Sequence, residues 1–396
     1  MCKLKPVPLS LAGLALLTVV MAGCHKNNYP QYPANYREYA YVTNGGSATV
    51  TVIDVVDVRL DRDIAVGQNP VALAANPVRN EIYVVNSGSA RGNGSLSFIN
   101  AEDNTVAGML PLHKQPVSID VDSKGERAYV ANSGSNSVSV IDLKNRREIA
   151  QLGAGSDPSG ARISPDGKSL VVSDRGGNSV TIIDPETGRT RAVFTGCPGA
   201  VDPIVTRDSS KAFIACSAGH AVMVIALAQQ HPYEPDQLQT LMDVGRAPMN
   251  LALKPDDGEI FVSNSLSDSV SEVVINSNDV LDAILIGERP VFGLVSPDNS
   301  LLYVGNSRSQ YVGIYSIDDG RRIASARVGD GPSALALSAA GNLLFAVDSR
   351  SGDIAVVRTA AISPGPTASV AAIPMSTLIP AGLNPNAIVD KAFKVR

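Results

Sequence analysis

The chain has 396 residues, with 34 glycines, 25 prolines, no tryptophan and a formal charge of −5. An acidic sequence without basic runs is a poor match to nucleic acid, and no tryptophan-based stacking platform is available. The length suits two or three domains, or one large all-β domain.

In chain order, Lys3 and Lys5 precede a continuous apolar run of 15 residues, 9–23. That length fits a signal peptide and falls short of a membrane span. The run ends Val20-Met21-Ala22-Gly23-Cys24, which resembles the lipobox of bacterial lipoproteins, with Met21 where leucine is usual. The resemblance implies cleavage after Gly23 and lipidation of Cys24, tethering the mature chain to a membrane face. The alternative is a plain secretory peptide with a chance cysteine. His25 rather than aspartate follows the cysteine, which by the same resemblance favours the outer over the inner membrane, on the periplasmic side. Residues 25–39 have no period and read as a tether. The expected organisation is therefore a signal peptide over 1–23, a lipidated cysteine and tether over 24–39, and one domain over 40–396. Removing 1–23 leaves 31 basic against 38 acidic residues, a charge of −7.

From there the sequence repeats. YVTN (41–44), YVVN (83–86), YVAN (129–132), LVVSD (170–174), FIAC (213–216), FVSN (261–264), YVGN (303–306) and FAVD (345–348) align at spacings of 42, 46, 42, 42, 48, 42 and 42. Each repeat holds four short β-rich runs separated by turn chemistry, such as SPDG (164–167) and SPDN (296–299). Four antiparallel strands in 40–45 residues describe a blade of a β-propeller. The recurring Tyr/Phe-Val-x-Asn is then the second strand, apolar toward neighbouring blades. Its Asn or Asp is expected to bond backbone groups and to tolerate left-handed geometry in the following turn.

These residues resemble the YVTN family of β-propeller repeats of bacterial and archaeal surface proteins, over about 40–395, with Tyr41-Val42-Thr43-Asn44 carrying the name literally. The resemblance implies the fold and no particular activity. The ordered part opens on a second strand, and the chain closes on NPNAIVDKAF (384–393), which matches the first-strand pattern of NPVALAANP (69–77). The last strand is therefore predicted to complete the first blade, giving an all-β ring of eight four-stranded antiparallel blades. Seven blades, the commoner number in the family, is the alternative and requires one repeat to be mis-stacked or missing.

Loops joining strands two and three share a face with the links between blades. There the sequence places Arg91, Arg175, Arg308, Arg350 and His220, with His113, Lys114, Arg246 and Arg289 in the links. They could form an anion-attracting funnel, or a solvated face balanced by Asp157, Asp174, Glu288, Asp330 and Asp348. Four residues after each link proline, the channel positions read Ala74, Asp120, Arg162, Ala252, Leu294, Ala336 and Val389, with blade five ambiguous. Asp120 and Arg162 are the sole candidates for a catalytic dyad, and an ion pair between neighbouring blades is the competing reading. With four histidines and no metal-ligand spacing, neither a metal nor a cofactor is expected.

Beyond the targeting segment only Cys197 and Cys216 remain. The first marks the entry to blade five and the second ends its second strand, so an antiparallel turn near Ser209-Ser210 brings them to one end of one blade. A disulfide is predicted. Two long excursions, 227–240 in blade five and 361–368 in blade eight, interrupt the third-to-fourth-strand connection as candidate partner contacts; shortening 228–237 is expected to leave folding intact. The functional expectation is a monomeric, lipid-anchored envelope propeller acting as a binding or assembly scaffold for a protein, a surface polymer or a small anionic ligand. A propeller enzyme of the lactonase or lyase type is the alternative.

Overall fold

The computed structural model describes residues 32–90, 92–228, 235–287, 289–362 and 370–395. The expected signal segment, Cys24, Arg91 and Glu288 lie outside the described residues. The chain divides into two compact units, Met1–Tyr36 and Arg37–Arg396. In the first, the rings of Tyr32 and Tyr36 stack with centroids 4.8 Å apart. The second is the propeller.

Eight antiparallel four-stranded blades follow one another, each ordered from first to fourth strand, and the seventh carries one added strand at its outer edge. Blade one is completed from the far end of the chain. Its sheet runs Arg59–Ala65, Thr49–Asp54, Tyr36–Asn44, Pro385–Lys394. Asn384 and Leu383 carbonyls accept the amides of Gly45 and Gly46 at 3.0 and 2.8 Å, and Thr43 Oγ1 donates to Asn386 Oδ1 at 2.6 Å.

The repeated motif packs as its composition dictates. Tyr41, Tyr83, Tyr303, Phe213, Phe261 and Phe345 are all buried between blades, where aromatic area adds most to a core. The Asn that ends the motif does not take left-handed geometry: Asn132 is extended at φ −105°. The positive φ falls four residues later, at Ala48, Asn136, Asn178 and Asp268, and again just before each link proline, at Asn69, Gln115, Asp157, Ala247, Arg289 and Asn384.

Nor does the Asn side chain turn to the backbone of its loop. It reaches across to hydroxyls of the third strand. Asn44 Nδ2 donates to Thr49 and Thr51 at 3.0 and 2.9 Å, Asn86 to Ser95 and Ser97 at 3.1 and 2.9 Å, and Asn264 to Ser269 and Ser271 at 3.3 and 3.0 Å. A link glycine lies against this clamp. A Cβ added to Gly67, Gly245 or Gly382 would stand 2.7–2.8 Å from Asn86, Asn264 or Asn44, so any side chain there displaces the clamp.

Two connections depart from the repeat. After the third strand of blade eight (Asp353–Arg358), the chain first runs Ala371–Ile373 parallel to the outer strand of blade seven, Arg321–Arg327, making that sheet five-stranded. Only then does Thr377–Pro380 complete blade eight. In blade five, the connection returns through Asp236, whose side chain is 1% exposed and receives Arg191 of blade four, with Nε–Oδ2 at 2.9 Å. Deleting 228–237 would remove this buried carboxylate, so the shortening is tolerable only short of Asp236. Arg191→Ala, which strands that charge, is expected to cost about 3 kcal/mol in urea unfolding, more than any exposed ion pair would; an unchanged midpoint would show the contact to be idle.

Candidate functional site

First strands of neighbouring blades lie side by side around the ring and form the channel wall. The structure brings two of the channel candidates together. Arg162 Nη1 is 3.1 Å from Asp120 Oδ1, with side chains 43% and 16% exposed. The second carboxylate oxygen accepts the Ile163 amide at 2.9 Å, and Arg162 Nε points to the Pro203 carbonyl at 3.3 Å. The charge of Asp120 holds the Arg162 guanidinium above its ordinary range.

In blade five, which the repeat pattern left ambiguous, the register puts Ile204 opposite Phe213, where Asp120 stands opposite Tyr129, and the polar Asp202 precedes it. Asp202 sits in a β-bulge between Val201 and Ile204 at φ +47°, a region an aspartate tolerates better than most side chains. Its Oδ2 accepts the Leu251 amide at 2.6 Å and Asn250 Nδ2 at 3.1 Å. Asn250 Oδ1 in turn accepts the Gly293 amide at 2.7 Å. Asp120, Asp202 and Asn250 thus stitch the inner strands of blades three to four, five to six and six to seven, and Arg162 reaching the Pro203 carbonyl joins four to five. The signal in the sequence was an Asp or Asn inside an otherwise apolar first strand, but a bulge cannot be read from one sequence.

On the loop face, two arginines are already engaged. Arg175 forms a double hydrogen bond with Asp157 at 2.9 and 3.1 Å, and Arg350 with Asp330 at 3.0 and 2.9 Å. In each pair a strand-two-to-three loop is tied to the link beside it. The partner carboxylate is the main cause that raises each arginine's pKa. Arg308 and His220 are exposed. Asp174 and Asp348 do not balance the arginines, because both are fully buried in the clamp position beneath the face.

Asp174 accepts Thr181 Oγ1 at 2.5 Å, and burial raises its pKa to about 6. A folded carboxyl with a raised pKa loses stability as pH climbs from its unfolded value, near 4, to about 6, and no further. Asp174→Asn, which restores the clamp of other blades, is therefore expected to leave melting unchanged at pH 4 and to stabilise at pH 7.5 by about 2 kcal/mol. Equal effects at both pH values would contradict this.

Cys197 and Cys216 are joined in a disulfide, with Cα atoms 4.8 Å apart and both residues fully buried. Cys216 occupies the clamp position, and Cys197 occupies the place of the link glycine. The third strand of this blade begins Ala221-Val222-Met223, without either hydroxyl. Clamp, glycine and hydroxyls are thus replaced together by one covalent bond.

The cavities lie away from both candidate surfaces. One of about 600 Å³ opens between blades seven and eight beside Asp298, Tyr303, Asp318, Asp319 and Asn342. Another of about 470 Å³ lies by Arg79, Glu81, Glu102, Arg146 and Lys394. Both are on the face opposite the arginine loops. Among the described residues no three His, Cys, Asp or Glu side chains gather as a metal cluster.

No family model matches the chain, and no curated protein matches it in sequence. Solved structures do. AztD from Citrobacter koseri is similar at 15% identity and a TM-score of 0.67, over 91% of this chain and 99% of its own. The dihydro-heme d1 dehydrogenase NirN, solved in complex with DHE, is similar at 12% identity and a TM-score of 0.69, over 92% of this chain and 77% of its own. A candidate 6-phosphogluconolactonase from Bacteroides uniformis is similar at 13% identity and a TM-score of 0.61, over 90% of this chain and 100% of its own. At these identities the likeness is one of fold: the chain is an eight-bladed β-propeller.

Proposed function

We propose that the chain is a YVTN-type propeller held at Cys24 on the periplasmic side of the envelope, acting as a binding or assembly scaffold. The observation that carries this reading is the use made of the channel's polar groups. Asp120, Asp202 and Asn250 spend their acceptors on backbone amides of the next blade, which positions strands rather than a substrate. The lipobox-like Val20–Cys24 supports the anchor, and the regular outer surfaces support a partner-facing role. Metabolic labelling with an alkyne palmitate analogue tests the anchor: label and membrane association are expected in the parent and lost together in Cys24→Ser. A label-free chain would overturn it.

The second reading, a lactonase or lyase, draws on the part-exposed Arg162 beside Asp120 and on the fold shared with the Bacteroides uniformis protein. Lactone turnover by the purified chain that is abolished in Asp120→Ala, with melting preserved, would favour it.

A further inference from the structure

The fifth residue after the link proline ends the aligned part of each first strand. It is apolar at the equivalent place in the other seven blades, from Ala75 in the second to Leu337 in the eighth. In blade one it is Asp390. One oxygen of this carboxyl group is buried without a hydrogen bond, and the group lies in hydrogen-bond contact with that of Glu38, itself 1% exposed. Glu38 Oε1 accepts the amide of Ala339, in the first hairpin of blade eight, at 2.7 Å. Glu38 belongs to the first strand of the propeller and Asp390 to the last. The contact therefore sits on the seam where the ring is shut.

Two carboxyl groups can share a hydrogen bond only while one keeps a proton, and two buried carboxylates side by side are both desolvated and mutually repelled. The other ionisable groups nearby do not neutralise Asp390. From its own strand, Lys391 sends its ammonium to the Asn76 carbonyl at 2.6 Å, and from the first strand the Tyr41 hydroxyl donates to Asn104 at 2.6 Å. The hairpin of blade eight offers the pair the uncharged Ala339 amide. We propose that the ring closure is a proton-operated latch, in which Glu38 and Asp390 share one proton and its loss loosens the closing strand from blades one and eight. Burial, then the Glu38 charge, raises the Asp390 pKa far above the usual carboxylate range. The folded state thus binds a proton that the unfolded or opened state releases, so closure weakens as pH rises from about 4 through the folded pKa, and is strongest in acid.

A second carboxylate contact, the buried Asp348 opposite the half-buried Asp353 in blade eight, raises the Asp348 pKa in the same direction and must be separated. Asp348→Asn removes it and restores the asparagine of five other blades. In that background, amide hydrogen exchange of the full chain is followed from pH 5 to pH 9 and corrected for intrinsic chemical exchange. Protection of Pro385–Lys394 is expected to fall with pH, by up to tenfold per unit within the window, while Arg127–Asn132 of blade three stays level. Adding Asp390→Asn is expected to abolish the pH dependence. Glu38→Gln carries the same expectation and serves if the first variant fails to fold. A closing strand equally protected across the range, or a fall that survives either substitution, would overturn the latch.

Discussion

A chain truncated before Asn384 is expected to give no soluble folded propeller. The lost segment is the inner strand of blade one, and with it go Phe393, packed with Tyr41, Val52 and Ile82, and the hydrogen bonds from Gly45 and Thr43. Removing one buried phenylalanine side chain alone costs about 3–5 kcal/mol. The truncation also exposes the unpaired edge of Tyr36–Asn44, a template for aggregation. Domain stabilities are about 5–15 kcal/mol, so the combined loss is expected to exceed the margin. A graded control is Phe393→Ala, which should fold and melt lower. If the truncated chain melts like its parent, the last strand does not close the ring.

Replacing both Cys197 and Cys216 by alanine is expected to lower stability by about 3 kcal/mol. The bridge spans 19 positions, and in the chain-entropy account a loop of about that length contributes this much by restricting the unfolded state. For a chain of this size the melting temperature should fall by roughly 4 °C. Blade five has no substitute, because Ala221 and Met223 offer no hydroxyl to a new side chain. Rebuilding the neighbouring design, with Cys197→Gly, Cys216→Asn, Ala221→Ser and Met223→Ser, should recover part of the loss. Thermal melting of the three proteins checks both statements. A double-alanine variant as stable as the parent would mean that the disulfide adds nothing beyond packing.

The architecture was legible because a propeller writes itself eight times in one sequence, so each ambiguous segment could be read against seven others. The same comparison would have disclosed the clamp. A hydroxyl residue stands five and seven positions after Asn44, Asn132, Asp174 and Asn264, a spacing that places all three side chains on one face of a hairpin. The turn preferences of asparagine, taken alone, assign it left-handed geometry that belongs to residues four further on. Cys197 at the link-glycine position was readable too, since the glycine makes room for an asparagine or aspartate that Cys216 replaces.

Other features could not be read. The pairing of Arg175 with Asp157 and of Arg350 with Asp330 depends on how closely a loop approaches its link. The bulge that turns Asp202 toward blade six and the addition of Ala371–Ile373 to blade seven are choices of tertiary packing, without local turn or strand signals strong enough to announce them. The charge that the arginine loops present to solvent is correspondingly reduced. Two of them are cross-braces, and Arg308 and His220 remain exposed there.

The scaffold reading is tested most directly by crosslinking the intact chain in living cells, isolating it from membranes, and weighing the products by mass spectrometry. A discrete adduct, a protein or a surface polymer, is expected in the parent and expected to disappear in Cys24→Ser, a change that under the proposed anchor releases the chain from the membrane without touching the propeller. The contrary result is a chain recovered without any adduct, together with lactone turnover by the purified propeller that Asp120→Ala abolishes.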